Sequence, residues 1–419
     1  MPRRHTAWLV WGVGVTAYFV AVVYRTSLGV AWLDATARFG IGASALSTCM
    51  ITQVMLYAVL QIPAGLLVDR YGPRRVLCAG ILLLCAGQLC FAFATTFPAA
   101  LAARAVLGTG DAMAFVSVLR LGASWFPGRR NPLIVQLTAQ IGMAGSLVCT
   151  EVLSWMLFRA GWTPTFAVSA LAGLGMLGVV LLFVRDNPEP VVRPGRAARL
   201  PVPAQLRAAW AEPGTRMGMW VHFTCQFPGM SFLLLWGLPF LVLGQGLSRP
   251  AASGLLSLEV IGNMAFGLLF GQLVSQRQGI RTPLVLTVIL GTGASWVVVL
   301  SWPGGRVPMA LLVVFVFLLG SNAAACLVGL EYARPVNPPE RTGTALGIVN
   351  MGGFSATALT TLGIGVVLDW WTPDGAGYSL PAFRAAFCVL FVPMFLGLRQ
   401  ILRLRRLAAR REAEIRGAP

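Results

Sequence analysis

The sequence predicts an all-α polytopic membrane protein, with twelve transmembrane helices in two six-helix pseudo-symmetric bundles. Three observations carry that expectation. Of the 419 residues, 57% are apolar and only 11% are charged, less than half the roughly 25% charge of soluble domains. Twelve apolar stretches are each long enough for a hydrocarbon core of about 30 Å, which takes roughly 20 helical residues. One Pro- and Arg-rich segment divides those stretches six and six.

Taken in order, the first six stretches are 8–33, 44–67, 77–96, 99–122, 133–157 and 162–184. The chain starts MPRRHTAWLVWG, like a secretion signal. The apolar run continues to about Leu33 without a small-residue cleavage site, so this span is expected to be retained. Short segments rich in Gly, Pro and Arg join the spans, as turns between neighbouring helices require. Residues 185–216 read as a cytoplasmic linker with a short surface helix near Ala204–Trp210. The second six are 217–243, 251–274, 283–302, 307–330, 344–368 and 382–401. The expected domains are therefore an N-terminal bundle (1–184), the linker, a C-terminal bundle (217–403) and a basic cytoplasmic tail (404–419). The halves echo one another: loop 2–3 reads GLLVDRYGPRR and loop 8–9 reads GQLVSQRQGIR, as parallel repeats would.

The net charge is +18, every basic residue is arginine, and there is no lysine. With the N-terminus inside, 25 of the 32 arginines fall on inner segments. That alternation is the positive-inside pattern. It places both termini in the cytoplasm, at the cell's inner (plasma) membrane, and explains the basic charge without nucleic acid. The eight cysteines all lie in apolar runs, with no CxxC pair. They read as small buried hydrophobes, neither disulfides nor a metal site. No phosphate loop, metal cluster or nucleophile elbow is present, so an enzyme is not expected. Nor is a metal or cofactor.

GLLVDRYGPRRVL, Gly65–Leu77, resembles the loop 2–3 signature of the major facilitator superfamily, at Gly65, Asp69, Arg70, Gly72, Arg74 and Arg75. Pro73 departs from it. Gly65 lets a neighbouring helix approach, Gly72 permits a tight turn, and Asp69 is placed to accept from arginine or a helix N-terminus. The resemblance implies a latch and inner gate at this cluster. In the second half Ser275 replaces the aspartate, which implies a weaker latch. Span four, Ala103–Phe115, resembles the family's second motif, with Arg104 at the arginine position. Span five reads GMAGSLVCTE and lacks the longer glycine series and proline of the drug-antiporter motif, which argues against drug export.

An intramembrane charge costs at least ~2.5–3.5 kcal/mol and marks a candidate functional site. The candidates are Arg25, Arg104, Asp111, Glu151 and Glu259. All fall on spans that the resemblance places along or beside the substrate path. Arg25, Arg104 and Glu151 are expected in the outer half, as one network. Asp111 is the favoured proton switch, because Arg104 lies seven residues away on nearly the same face and could pair with it. Asp111, Glu151 and Glu259, with Arg104, are the proton-coupling candidates. Polar stripes add Tyr57 and Gln61 in span two, Gln140 in span five, and His222, Gln226 and Trp236 in span seven. Tyr24 stands beside Arg25. These are the candidate substrate contacts, against the plainer reading that such residues join helices.

Two readings of Arg25 stay open: a structural ion pair with Glu151 or Asp111, or an anion site, since guanidinium is permanently charged and presents paired donors. YFVAVVYRTSLGV also resembles the first span of organophosphate:phosphate antiporters and related organic-anion carriers, which hold the substrate anion with this arginine. Span seven lacks their second arginine. The resemblance implies a monomeric secondary transporter working by alternating access. Together these features point to proton-coupled transport of a small organic anion through the lipid bilayer. Two alternatives remain: a proton-driven efflux antiporter for drugs and amphiphiles, and a ligand sensor built on a transporter fold.

Overall fold

In the computed structural model, residues 4–40, 43–188, 201–371 and 378–415 are described. Residues 189–200 of the expected linker and 416–419 of the tail lie outside them. The described chain is entirely helical and divides into two compact units.

Unit 1 comprises Met1–Ala209 and Asn337–Gly347. Its helices are α1 (Arg4–Val30), α2 (Trp32–Phe39), α3 (Ala43–Tyr71), α4 (Pro73–Phe93), α5 (Phe97–Trp125), α6 (Asn131–Val148), α7 (Ser154–Ala160), α8 (Trp162–Phe183) and α9 (Val202–Ala211). Unit 2 comprises Trp210–Val336 and Ile348–Pro419. It holds α10 (Pro213–Ser231), α11 (Gly237–Pro239), α12 (Arg249–Gln276), α13 (Arg281–Ser301), α14 (Met309–Val328), α15 (Leu330–Ala333), α16 (Thr342–Trp371), α17 (Leu380–Phe387) and α18 (Phe391–Ile415). The first turns of α16 pack with unit 1 and the rest belongs to unit 2, so 337–347 leave the bundle to which the sequence assigned them. The reason lies at Asp69, below.

Eleven helical stretches among the described residues are long and apolar enough to cross a membrane. The span expected at 44–67 falls within α3. Three π-helical turns among the described residues, at Cys149–Leu153, Phe232–Trp236 and Phe240–Gly244, were not expected from the sequence. Each widens the helix locally and re-aims the side chains beyond it.

Between lipid-facing helices association rests on close packing, which small residues permit. In unit 1, α4 crosses α5 at glycines: a Cβ on Gly110 would stand 2.5 Å from the Gly80 carbonyl oxygen, and one on Gly87 2.7 Å from the Leu107 nitrogen. Nearby, Phe91, Trp162 and Phe166 pack tilted or edge-to-face at 4.6–5.0 Å between centroids. The Trp162 indole donates to the Phe91 carbonyl at 3.2 Å. In unit 2 the fully buried Trp296 plays the same part, with Phe387 at 4.7 Å and Phe315 at 4.9 Å.

Overpacking a tight crossing costs about 1–3 kcal/mol. Gly110→Val is therefore expected to lower the thermal unfolding temperature of the purified protein. Gly175→Val in α8, where a Cβ would meet nothing within 4 Å, is expected to leave it unchanged. Equal effects would contradict the crossing.

Candidate functional site: a buried ion pair in unit 1

An uninterrupted α1 carries Arg25 five residues before its end, and α5 carries Asp111 near its middle. The two side chains meet fork to fork. Arg25 Nε donates to Asp111 Oδ2 at 2.6 Å and Nη2 donates to Oδ1 at 2.8 Å. This bidentate, charge-assisted geometry is the strong form of the contact. Asp111 is wholly buried, whereas the Arg25 side chain keeps 24% exposure. Two aromatic faces flank the guanidinium: Tyr57 at 4.6 Å and Tyr18 at 6.0 Å from its carbon to the ring centroid. Such contacts attract a cation to the ring face. Tyr18 was absent from the sequence candidates, although its spacing of seven residues from Arg25 put it on the same face of α1.

Several sequence expectations are corrected here. Asp111 pairs with Arg25, one of the two ion pairs offered for that arginine, and not with Arg104. Arg104 instead donates to the Tyr24 carbonyl at 2.9 Å and the Ser27 hydroxyl at 3.1 Å, with its carbon 4.3 Å from the Phe91 ring centroid. It holds α1 on either side of Arg25, through the backbone at Tyr24 and the side chain at Ser27. Tyr24 does not face the ion pair. It is buried and its hydroxyl donates to the Ser169 carbonyl in α8, where Gly173 makes room for it. A step of one residue turns a side chain about 100° round the helix, so Tyr24 and Arg25 part company. Glu151 does not join the outer network: the π-helical turn leaves it exposed. Gln61 is buried and its amide donates back to the Tyr57 carbonyl at 3.3 Å. Gln140 is buried in α6.

The loop 2–3 cluster forms a second polar site in unit 1, two residues beyond the span read at 44–67. Gly72 takes φ 89°, the conformation its position required. Asp69 accepts from the backbone of Gly343 and Thr344, each at 2.7 Å, from the Thr344 hydroxyl at 2.6 Å, and from Gln205 of α9 at 3.2 Å. The first turn of α16 thus docks on a carboxylate, as a helix N-terminus favours. Gly65 and Gly343 pack backbone to backbone there, with no room for a Cβ on either. These contacts draw 337–347 into unit 1. Arg74 is bound through its backbone to Asp186 at 2.7 Å and through its guanidinium to the Leu181 carbonyl. Arg70 lies over the Tyr71 ring at 5.6 Å, and Arg75 is exposed. At the corresponding place in unit 2, Ser275 bonds back to its own helix at Gln272.

Unit 2 holds the remaining candidates. His222 and Gln226 of α10 are buried against Gly353 of α16. Both ring nitrogens of His222 and Nε2 of Gln226 lack a hydrogen-bond partner among the described residues. The Trp236 indole donates to the Thr361 carbonyl at 3.0 Å, tying the π-helical extension of α10 to α16. Glu259 is buried, with Oε2 unpartnered among the described residues and Oε1 2.9 Å from where a Cβ on Gly229 would stand. Among the described residues no group of three or more His, Cys, Asp or Glu could hold a metal ion.

Burial pushes the Asp69 carboxyl up to about 7 from an ordinary value near 3.8, against the opposing pull of the Thr344 and Gly343 donors and the charge of Arg120. An acid raised on folding contributes stability that is full below its ordinary value and lost as pH rises through its folded value. Wild type is therefore expected to lose more thermal stability than Asp69→Asn between about pH 5 and about pH 8. Equal slopes in the two proteins would contradict the assignment.

Comparison with known proteins follows the same lines. Residues 14–361 match the family profile described as Major Facilitator Superfamily. The chain is 23% identical to the probable galactarate/D-glucarate transporter GarP of Escherichia coli K12, over 93% of this chain and 95% of that protein. It is 26% identical to the probable sulfoacetate transporter SauU of Cupriavidus necator over 187 residues, which is 45% of this chain and 44% of that protein. Of solved structures, the proton:xylose symporter XylE superposes with a TM-score of 0.71 over 95% of this chain and 96% of its own, at 13% identity. That likeness shows the fold.

Proposed function

Because the chain belongs to the major facilitator superfamily, a family of secondary transporters and not of enzymes, we propose that it carries a small organic anion together with a proton, by exchange of partners at Arg25. It is a multi-pass membrane protein with the fold of this family. The twelve-span, two-bundle plan, with both termini cytoplasmic in a bacterial inner membrane, is part of the proposal. It rests on the apolar runs and the arginine bias.

The bidentate Arg25–Asp111 pair carries this reading. A substrate carboxylate or sulfonate presents the same two-oxygen edge that Asp111 presents. When it takes the guanidinium, Asp111 is left buried without its cation. A buried ionised carboxylate without a partner is too costly to persist, so Asp111 binds a proton. Anion entry and proton uptake become one event. The relatives named for aldarate and sulfoacetate transport support an anionic cargo. The likeness to organophosphate antiporters extends to Arg25 alone, since α10 has no arginine facing its buried His222 and Gln226 beyond Arg216 at its start. One permanent cation suits a carboxylate or sulfonate better than a phosphate dianion. Asp69, holding the first turn of α16, is proposed as the gate residue whose release accompanies alternation.

Proteoliposomes with an inwardly directed proton gradient test this, using galactarate, glucarate and sulfoacetate as probes. Wild type is expected to accumulate at least one of them. Arg25→Ala is expected to reduce uptake by roughly 30-fold or more, the cost of removing one partner of a buried charge pair. Asp111→Asn is expected to keep anion exchange and lose gradient-driven accumulation. Full uptake by Arg25→Ala, or proton-driven expulsion of cationic amphiphiles that ignores Arg25, would overturn the reading in favour of efflux.

A further inference from the structure

The basic end of unit 2 has a feature that transport does not use. α18 is one helix that begins in the last membrane-crossing stretch, Leu380–Leu407, and continues to Ile415. Roughly 20 residues of helix take the chain across a hydrocarbon core. Counted from Leu380, that length ends near Arg399. Arginines follow at 399, 403 and 406, spaced four and three apart, so they share one face. All three are exposed and make no ion pair or hydrogen bond among the described residues. Phe395, Leu398 and Leu402 share that face and line one open groove with them. Phe395 is 69% exposed, so the groove passes without a break from apolar to cationic.

Among the described side chains, no acid pairs with these three arginines. Glu331 of unit 2 is buried and bridged to Arg334 at 2.9 Å. Arg281 donates to the Glu331 carbonyl, and Arg405 lies close enough to Tyr332 for its charge to act there. The surroundings are therefore cationic and repel further cations. A ligand for the groove must bring negative charge at the height where the hydrocarbon ends, and an apolar body below it. Three guanidinium groups over about 10 Å of helix suit the non-ester oxygens of a phosphodiester, which arginine binds with paired donors.

We propose that this face of α18 is a binding site for one anionic phospholipid, with Arg399, Arg403 and Arg406 on the headgroup and Phe395, Leu398 and Leu402 along the acyl chains. Basic clusters just beyond a membrane helix attract anionic headgroups in this way. The site commits to the lipid and not to a free phosphate, because the apolar half of the groove would be left empty by the latter.

The test uses the full chain in nanodiscs of mixed phosphatidylglycerol and phosphatidylcholine, with lipid retention read by native mass spectrometry after extraction. Wild type is expected to retain phosphatidylglycerol over phosphatidylcholine. The triple variant Arg399→Gln, Arg403→Gln, Arg406→Gln is expected to lose that preference by roughly tenfold or more. Arg129→Gln with Arg130→Gln, exposed arginines of unit 1, is expected to keep it. Should the triple variant not fold, Arg403→Gln alone is expected to show a smaller loss in the same direction. Equal retention by wild type and variants, no preference between the lipids, or displacement by sn-glycerol 3-phosphate at equal concentration would each overturn the proposal.

Discussion

The pairing of Arg25 with Asp111 is the interaction on which the rest of unit 1 depends. Each charge alone would cost ~2.5–3.5 kcal/mol or more within the bilayer. Together they form two short hydrogen bonds, and removing either partner would strand the other at about 3–5 kcal/mol. The pair needs α1 and α5 at one height, and Arg104 supplies that. Its bonds to the Tyr24 carbonyl and the Ser27 hydroxyl bracket Arg25 in sequence. α5 thus presents one polar stripe to α1, with Arg104 holding backbone and Asp111, two turns on, holding the side chain that backbone carries. The division matters for function. In the proposed cycle the Arg104 contacts persist while the side-chain pair is exchanged for a substrate anion.

Much of this was legible in the sequence, for identifiable reasons. Apolar runs of membrane length survive any error in helix phase, and among the described residues eleven helical stretches are long and apolar enough to cross a membrane. Arg25, Asp111 and Glu259 stood out because charge is rare in such runs. The choice between the two partners offered for Arg25, Glu151 and Asp111, did not. Periodicity fixes which residues share a face of one helix, but says nothing of how two helices are rotated and shifted against each other. Hence Asp111 and Arg104 were rightly placed on one stripe of α5, and the partner of Asp111 lay 86 residues away on α1. Tyr24 misled because adjacency in sequence is not adjacency on a helix. The π-helical turn at Cys149–Leu153 left no local signature, and with it went the inward placing of Glu151.

The loop 2–3 cluster follows a different logic. Its residues were legible from a local motif, because a tight turn at Gly72 and a close approach at Gly65 make demands that few residue types meet. Its partners, Gly343, Thr344 and Gln205, came only with the structure. A half-buried carboxylate accepting from four donors orders the start of α16 within unit 1. One turn later the same helix belongs to unit 2. A change at Asp69 therefore acts on the origin of a helix thirty residues long. Unit 2 carries its own buried polar groups, His222, Gln226 and Glu259, with atoms unpartnered among the described residues.

The central claim is that a substrate anion replaces Asp111 on Arg25 and that Asp111 then holds a proton. Calorimetric titration of the bound anion, repeated in buffers of different ionisation enthalpy, counts the protons taken up on binding. The account predicts about one proton per anion for wild type and none for Asp111→Asn. Binding without proton uptake in wild type, or undiminished uptake in Asp111→Asn, would contradict it.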